Sequence, residues 1–279
     1  MALKLMYITN HPIVAQIAQS HGVDRIWIDL ETLGKEERQK NLNTVKSHHT
    51  IDDIRRISPL LDTSELLVRV NPWNVHSPEE LEQVLHAGAD RIMLPMWRTA
   101  REVSCFLKAV AGRTKVSLLL ETREAEACLD DVLALSGIDE IHIGLNDLHL
   151  SYGLSFMFEL LANGTVEAIC KKIRDKGIPY GFGGIARIGE GMLPAEKIVM
   201  EHYRLGSTRT ILSRSFCNTG EISDVKEIDR IFAHNMKKLR EAEAKAQAAS
   251  QTDYQNNRLE VITCVNAVVT AIREREKDG

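Results

Sequence analysis

The sequence predicts an α/β protein built as a (β/α)₈ barrel, the TIM-barrel architecture, with a C-terminal helical extension. Eight short, β-rich apolar runs alternate with longer segments of helical periodicity. Nearly all of these runs lack the alternation of a strand with one wet face, which is typical of parallel strands covered on both sides. A count of eight favours a closed barrel over an open doubly wound sheet, and 279 residues suffice for one barrel with an appendage.

The predicted strands follow one another along the chain at regular intervals. They cover residues 3–9, 25–30, 65–71, 91–95, 115–120, 140–144, 179–182 and 208–213. Between them, apolar residues recur at helical spacing, as Val103, Phe106 and Val110 do. Gly22 and Gly88 each follow a helical segment and precede a strand, as glycines that end helices do. The order of elements is therefore strand, helix, strand throughout the first 223 residues.

The pattern changes after residue 223, so we expect a barrel domain over 1–223 and C-terminal helices over 224–279. Two apolar stripes at helical spacing mark these helices: Val225, Ile228, Phe232, Met236 and Leu239, then Ile262, Val265, Val268, Val269 and Ile272. Such stripes must be buried. They could pack on a neighbouring subunit, which predicts a homo-oligomer, or equally well on the chain's own barrel.

Composition excludes several classes of function. A formal charge of −4 with no basic block argues against a nucleic-acid or anionic-membrane surface. Five scattered cysteines without a Cys-x-x-Cys pair indicate reduced thiols rather than disulfides or a zinc site. No run approaches the ~18 apolar residues of a membrane span, and the start is strand-like rather than a signal peptide. A cytoplasmic protein is expected.

In such a barrel, functional side chains lie at the C-terminal ends of the strands. Glu121 and Asp147 follow adjacent strands, so both carboxylates can reach one point at the barrel mouth. They would repel each other without a cation or a proton, and all-oxygen ligation suits Mg²⁺ or Mn²⁺. The alternative is that Glu121 caps a helix and Asp147 caps a turn. Arg69, on an apolar strand, needs a substrate oxyanion or an ion pair with Asp29 or Glu31.

Five segments together resemble the HpcH/HpaI aldolase and citrate lyase family. They are VDRIWIDLE (23–31), LVRVN (67–71), GADRIMLPM (88–96), ETREA (121–125) and IGLNDL (143–148). Their order and spacing also agree, and the likeness covers about residues 3–216. No single motif is specific; the ordered set carries the resemblance.

The resemblance implies an oligomeric pyruvate-binding barrel whose last helix is often exchanged between subunits. It implies that Glu121 and Asp147 hold a divalent metal that chelates a 2-oxo acid. It also implies that Arg69 contacts the keto oxygen and stabilises the enolate. A cation and a guanidinium suit these roles, because an enolate concentrates negative charge on oxygen. Glu31 and Asn146 are further site candidates because they end strands at the same mouth.

The chain departs from the aldolase branch at Thr32, where that branch has a histidine that helps to move the proton. Threonine cannot replace an imidazole near neutral pH. The segment Asp29-Leu30-Glu31, followed by Lys35 and Arg38, is more similar to the citrate-lyase branch, which acts on acyl-thioesters. His49, or its neighbour His48, could carry the proton from a loop near the mouth, or simply cap the helix that follows.

A glycine-rich segment at 181–191 and Arg214 follow the last two strands, where many barrels bind a phosphate or second carboxylate. A tight glycine turn is the alternative. The leading hypothesis is a metal-dependent aldolase for a 2-oxo acid, with Arg69, His49 and Glu31 catalytic and Arg69, Asn146 and Arg214 binding substrate. The alternatives are a thioester lyase of citrate-lyase type, phosphoenolpyruvate chemistry, and a non-catalytic barrel used for binding or assembly.

Overall fold

The computed structural model describes residues 1–34 and 48–278, with side chains described through residue 275. Eight parallel strands close into a barrel in chain order, which confirms the predicted fold. The strands are β1 (Lys4–Ile8), β2 (Arg25–Asp29), β3 (Glu65–Arg69), β4 (Arg91–Leu94), β5 (Lys115–Leu120), β6 (Glu140–Ile143), β7 (Tyr180–Ile185) and β8 (Arg209–Leu212).

Helices surround this barrel. In the described ranges they are α1 (Pro12–Ser20), α2 (Ile51–Ile57), α3 (Ser77–Ala87), α4 (Ala100–Val110), α5 (Arg123–Ala127), α6 (Leu129–Val132), α7 (Leu145–Ser151), α8 (Glu159–Ala162), α9 (Thr165–Asp175), α10 (Ala195–Leu205), α11 (Val225–Ala248) and α12 (Gln251–Asp278). Short 3₁₀ turns cover Ser58–Leu60 and Arg214–Phe216. Among the helices so described, none has the length and apolar character needed to span a membrane.

Local sequence signals set the helix ends. Thr99 accepts a hydrogen bond from the Glu102 amide, and the Glu102 side chain in turn accepts the Thr99 amide, a capping box that starts α4. Gly88 ends α3 with a φ of 104°, in the left-handed region where a side chain would be strained. Each helix then returns the chain to the base of the next strand.

The barrel interior is filled in layers. Side chains alternate along each strand, so every second residue points inward. The middle layer is an apolar cluster of buried inward side chains: Met6, Trp27, Leu67, Met93 and Leu119. Charged side chains stand above and below this layer, at the two ends of the barrel. The outward residues of the strands pack against the helices in the main core.

The C-terminal helices pack on the chain's own barrel. Helix α11 contacts both α10 and α1 and therefore occupies the eighth helix position of the ring. Helix α12 contacts α10 and α8, with Val261, Val265 and Val269 buried. Of the two expectations for the apolar stripes, packing within the chain is the one observed. Oligomerisation through these helices stays a prediction.

Glu243 ties α11 to the first strand. Its buried carboxylate accepts the Leu3 amide at 2.6 Å and the Tyr203 hydroxyl at 3.2 Å, and it pairs with Arg240 at 2.6 Å. Glu243→Ala is expected to lower the free energy of unfolding by about 3 kcal/mol, because partners of a buried charge lose their acceptor. Urea denaturation measures this. Glu241→Ala, at an exposed position on the same helix, should change stability by less than about 0.5 kcal/mol; equal losses in both would contradict the anchor.

The seventh strand is longer than the sequence predicts. The predicted strand ended at residue 182 with a glycine-rich loop after it, but β7 continues to Ile185. Gly181, Gly183 and Gly184 therefore lie in the strand, with an irregular register against β8 between Gly181 and Gly184. Low strand propensity of glycine hid this extension. A Cβ at Gly181 would lie 2.0 Å from the Arg209 carbonyl oxygen, so close strand approach explains that glycine.

Candidate active site

Arg69 is held at the C-terminal end of β3 by two carboxylates of the neighbouring segment. Its Nε and Nη2 donate to the two oxygens of Asp29 at 2.8 and 2.9 Å, and its Nη1 lies 3.3 Å from Glu31 Oε2. The guanidinium stands 5.3 Å from the Trp27 ring centroid. Burial alone would lower the pKa of Arg69, but Asp29 and Glu31 outweigh burial and raise it. The ion pair expected from the sequence is confirmed.

Glu121 stands at the end of β5 and is buried. Its Oε1 accepts the Met96 amide at 3.0 Å, and Met96 adopts a positive φ of 52° that is uncommon for a non-glycine residue. A Cβ at Gly144 would lie 2.9 Å from Glu121 Oε2, so the glycine makes room for the carboxylate. Burial, then repulsion from Asp147 and Glu31, raises the pKa of Glu121 well above its usual range. A bound proton or cation would relieve this repulsion.

Asp147 lies half-buried on the first turn of α7, and its charge contributes to the raised pKa of Glu121. The adjacent strands β5 and β6 thus bring the two predicted metal ligands together at the barrel mouth. Asn146 precedes Asp147 on the same turn, so its side chain leaves the helix about 100° away. It is also half-buried, and its substrate role stays a prediction.

His49 is seated at the end of β2. Its Nδ1 accepts the backbone N–H of Asp29 at 3.0 Å, so the neutral imidazole carries its proton on Nε2. Proton uptake at Nδ1 would require this hydrogen bond to break. His48 is exposed. Of the predicted citrate-lyase-like residues, Lys35 and Arg38 lie outside the described residues.

Thr32, at the position where the aldolase branch has histidine, is fixed by Asn71. Asn71 Oδ1 accepts the amides of Thr32 and Leu33 at 2.9 and 3.0 Å, and its Nδ2 donates to Glu80 at 2.8 Å. Burial raises the pKa of Glu80. These residues, with His49, line a cavity of about 490 Å³ beside the site. Asn71 and Glu80 were not predicted, although Asn71 lies in the strand-end motif LVRVN.

Arg214 lies exposed on the 3₁₀ turn after β8. Strand β8 neighbours β7 and β1, so Arg214 belongs to the same end of the barrel but to another sector of its rim than β2 and β3. To bind a substrate held near β2 and β3, the Arg214 side chain would have to extend across the mouth. Its role in binding substrate stays a prediction.

The donor set at Glu121 and Asp147 fits a hard divalent cation. Within residues 1–34 and 48–278 no group of three or more histidine, cysteine, aspartate or glutamate side chains has a metal-binding arrangement. Two carboxylates with further positions for water or substrate oxygens are typical of Mg²⁺ and Mn²⁺ sites. The repulsion that raises the pKa of Glu121 is the interaction that such a cation would relieve.

Comparison with known proteins places the chain among related sequences. A family model described as HpcH/HpaI aldolase/citrate lyase matches residues 4–160. A hydroxypyruvate/pyruvate aldolase of Rhizorhabdus wittichii is 28% identical over 184 residues, which cover 52% of this chain and 72% of that protein.

Solved structures share the fold at low sequence identity. An HpcH/HpaI aldolase from Desulfitobacterium hafniense DCB-2 superposes with a TM-score of 0.61 at 15% identity, covering 86% of this chain and 93% of the other. The citrate synthase SbnG superposes with a TM-score of 0.58 at 16% identity, covering 86% and 94%. At these identities the likeness shows the barrel alone.

Proposed function

This chain belongs to the HpcH/HpaI aldolase/citrate lyase family, and from that premise we propose that it is a divalent-metal-dependent aldolase that cleaves or forms a carbon–carbon bond next to a 2-oxo acid. The observation that carries the proposal is the electrostatic interaction of Glu121 with Asp147, which raises the pKa of Glu121, and with Arg69, which lowers it. The likeness to a hydroxypyruvate/pyruvate aldolase supports the 2-oxo acid.

Glu121 and Asp147 would hold the cation. When bound, Mg²⁺ or Mn²⁺ supplies a Lewis acid for the carboxylate and keto oxygens of the substrate. Arg69 supplies hydrogen-bond donors in addition. Its Nη nitrogens each carry two N–H groups, so the bidentate pair with Asp29 leaves donors for a substrate oxygen. These donors are held in place before the reaction, which is the condition for stabilising developing charge.

In the cleavage direction a base removes the proton of the substrate hydroxyl, and the carbon–carbon bond breaks to give an aldehyde. The electron pair moves to the keto oxygen, where Arg69 stabilises it, and the protonated base returns its proton to the enolate carbon to complete the 2-oxo acid. We assign the base to Glu31, whose carboxylate lies 3.3 Å from Arg69 Nη1. His49, which lines the neighbouring cavity, is proposed as the proton carrier beside it.

A thioester lyase of citrate-lyase type remains the second candidate, because Thr32 departs from the aldolase branch and Asp29-Leu30-Glu31 is similar to the citrate-lyase branch. Assays that pair pyruvate with small aldehydes, beside assays with citryl- or malyl-thioesters, distinguish the two. If the protein turns over only the thioesters, the thioester-lyase assignment replaces the proposed 2-oxo acid aldolase.

Metal titration tests the cation site directly. Calorimetry with Mn²⁺ and Mg²⁺ should show binding to the wild type that strengthens with oxalate, a planar mimic of the pyruvate enolate. Asp147→Asn should weaken metal binding by more than about 100-fold, because loss of even an outer-shell partner costs about 10- to 100-fold. Asp130→Asn, an exposed carboxylate paired with Lys172, is the matched control and should bind like the wild type.

The outcomes separate the hypotheses. Metal binding that survives Asp147→Asn would move the site elsewhere. If neither the wild type nor the variants bind metal, and no turnover is detected, the non-catalytic barrel becomes the remaining hypothesis.

A further inference from the structure

The end of the barrel opposite the candidate active site holds a basic cluster. Three inward guanidiniums, an ammonium group and two carboxylates form it, and we call it the basal cluster: Arg25, Arg91, Arg209, Lys115, Glu65 and Glu140. Among the described residues, this cluster contains four positively charged side chains and two negatively charged ones. The three arginines are 1–6% exposed, so this is a buried excess of charge.

Three arginine side chains surround the buried carboxylate of Glu140. Its Oε1 accepts Arg25 Nη1 and the Ser117 hydroxyl, both at 2.6 Å. Its Oε2 lies 3.2 Å from Arg209 Nε and 3.6 Å from Arg91 Nη1, neither with the geometry of a hydrogen bond. Burial would raise the pKa of Glu140, but the three arginines outweigh burial and lower it. Oε1 is therefore fully engaged, whereas Oε2 lies near two guanidiniums and accepts a hydrogen bond from neither.

Several buried donors of the cluster lack an acceptor. Arg209 Nε and Nη1 and Arg91 Nη1 are shielded from solvent and make no hydrogen bond to the described protein. Burial, together with repulsion from Arg25 and Arg91, lowers the pKa of Arg209. Buried guanidinium N–H groups without an acceptor are costly, so the cluster holds more donors than its two carboxylates accept, although Arg91 and Arg209 both lie at ion-pair distance from Glu140.

The cluster opens to solvent at the N-terminal end of the barrel. Lys115 is 55% exposed and Glu65 is 26% exposed, while the arginines lie behind them. Arg209 packs directly against Gly181, because a Cβ there would lie 2.5 Å from Arg209 Cγ. Nearby acidic side chains are engaged elsewhere: Asp24, Asp90 and Asp139 accept the backbone amides of Leu5, Leu66 and Val116.

We propose that the basal cluster binds a small, doubly charged oxyanion such as sulfate or inorganic phosphate. Two negative charges match the formal excess within the six cluster residues, and tetrahedral oxygens accept from guanidinium donors on several sides. Arg209 and Arg91 would supply the donors and Lys115 the ammonium at the entrance. The site lies at the end of the barrel away from Glu121 and Asp147, so it is separate from the proposed reaction.

Thermal unfolding tests the site. Millimolar potassium sulfate is compared with potassium chloride at equal ionic strength, below the concentrations at which sulfate stabilises proteins by exclusion. Near 100 times the Kd, sulfate should raise the Tm of the wild type by about 5 °C or more. Arg209→Met should lose this response, yet be no less stable in chloride, because it removes an under-paired buried charge. A purely structural cluster predicts a less stable variant.

Two further proteins locate the anion. Arg230→Met removes an exposed arginine of α11 and should respond to sulfate like the wild type. Arg69→Lys should also keep the response, whereas its loss there would assign the anion to the active-site mouth and overturn the proposal. An equal response of wild type and Arg209→Met, or no sulfate-specific response, would overturn it too.

Crystallography of the wild type with selenate covers the case in which Arg209→Met fails to fold. An anomalous peak within hydrogen-bonding distance of Arg209 and Arg91 supports the site. Peaks only at the opposite mouth, or none, would overturn it.

Discussion

Arg69→Lys is expected to lower kcat for aldol cleavage by about 10²- to 10³-fold, the loss typical when one preorganised donor to a developing oxyanion is removed. Lysine keeps the positive charge between Asp29 and Glu31. It cannot reproduce the planar fork that binds both Asp29 oxygens at 2.8 and 2.9 Å while donating to a substrate. The loss should therefore appear in catalysis rather than in folding.

The measurement is steady-state kinetics with saturating Mn²⁺, together with thermal unfolding. We expect the Tm to stay close to that of the wild type, because the buried carboxylates remain paired. Arg55→Lys is the matched control, an exposed arginine paired with Asp52, and should retain full activity. Activity of Arg69→Lys within threefold of the wild type would remove Arg69 from the proposed chemistry.

Acid is expected to destabilise the fold through two buried histidines. Burial lowers the pKa of His142 to about 4 and that of His202 to about 3, with His142 adding to the effect on His202. His142 Nε2 donates to the Gly183 carbonyl oxygen at 3.2 Å. His202 stacks on Phe182 at 3.9 Å and hydrogen bonds the Ser207 hydroxyl at 2.7 Å.

The sign follows from where the proton binds. In the unfolded chain both histidines titrate near pH 6.5, so below that pH the unfolded state takes up protons that the folded state does not. Their stabilisation is complete above pH 6.5 and is lost as the pH falls toward 4. Between pH 7 and pH 5 each histidine should cost about 2 kcal/mol of unfolding free energy.

Urea denaturation at pH 7 and pH 5 measures the loss. Because Glu121 titrates with the opposite sign, the test is the difference between proteins rather than the wild-type value alone. His202→Phe keeps a ring against Phe182 and should reduce the loss by about 2 kcal/mol. His86→Gln, at a side chain that is 79% exposed, should leave it unchanged. An unaltered loss in His202→Phe would show that His202 is protonated in the native protein.

Much of the candidate site follows from one rule applied to the sequence. Buried parallel strands read as apolar runs, and the polar residue that ends each run points to the mouth. This placed Arg69, Glu121 and Asp147 at one end, and the structure brings Glu121 and Asp147 into electrostatic contact. The Arg69–Asp29 pair was likewise expected and found.

The basal cluster was not predictable in the same way. In the sequence Arg25, Arg91 and Arg209 look like polar residues that merely begin strands. Only the register of the closed barrel turns them inward toward Glu140. Register between strands distant in sequence is a property of barrel closure and has no local signal.

The packing of the C-terminal helices could not be predicted from the sequence either. An amphipathic stripe shows that a helix face is buried, but the same stripe serves a partner subunit or the chain's own barrel. The contacts of α11 with α10 and α1 decide this for the single chain. The loop-fixing pair Asn71–Glu80 escaped because its residues lie in different elements, and hydrogen-bond partners of that kind have no fixed spacing.

The apolar middle layer of the barrel has a thermodynamic consequence. Arg25 and Asp29 stand four residues apart on β2, roughly 13 Å along the strand, with Met6, Trp27 and Leu67 in the layer between the ends. At an effective dielectric constant near 20, two unit charges at that distance interact by about 1 kcal/mol. A cation at the mouth and an anion at the base lie farther apart than this, so each pair of unit charges attracts by less, and linkage makes the effect reciprocal: each ion raises the other's affinity by the same factor.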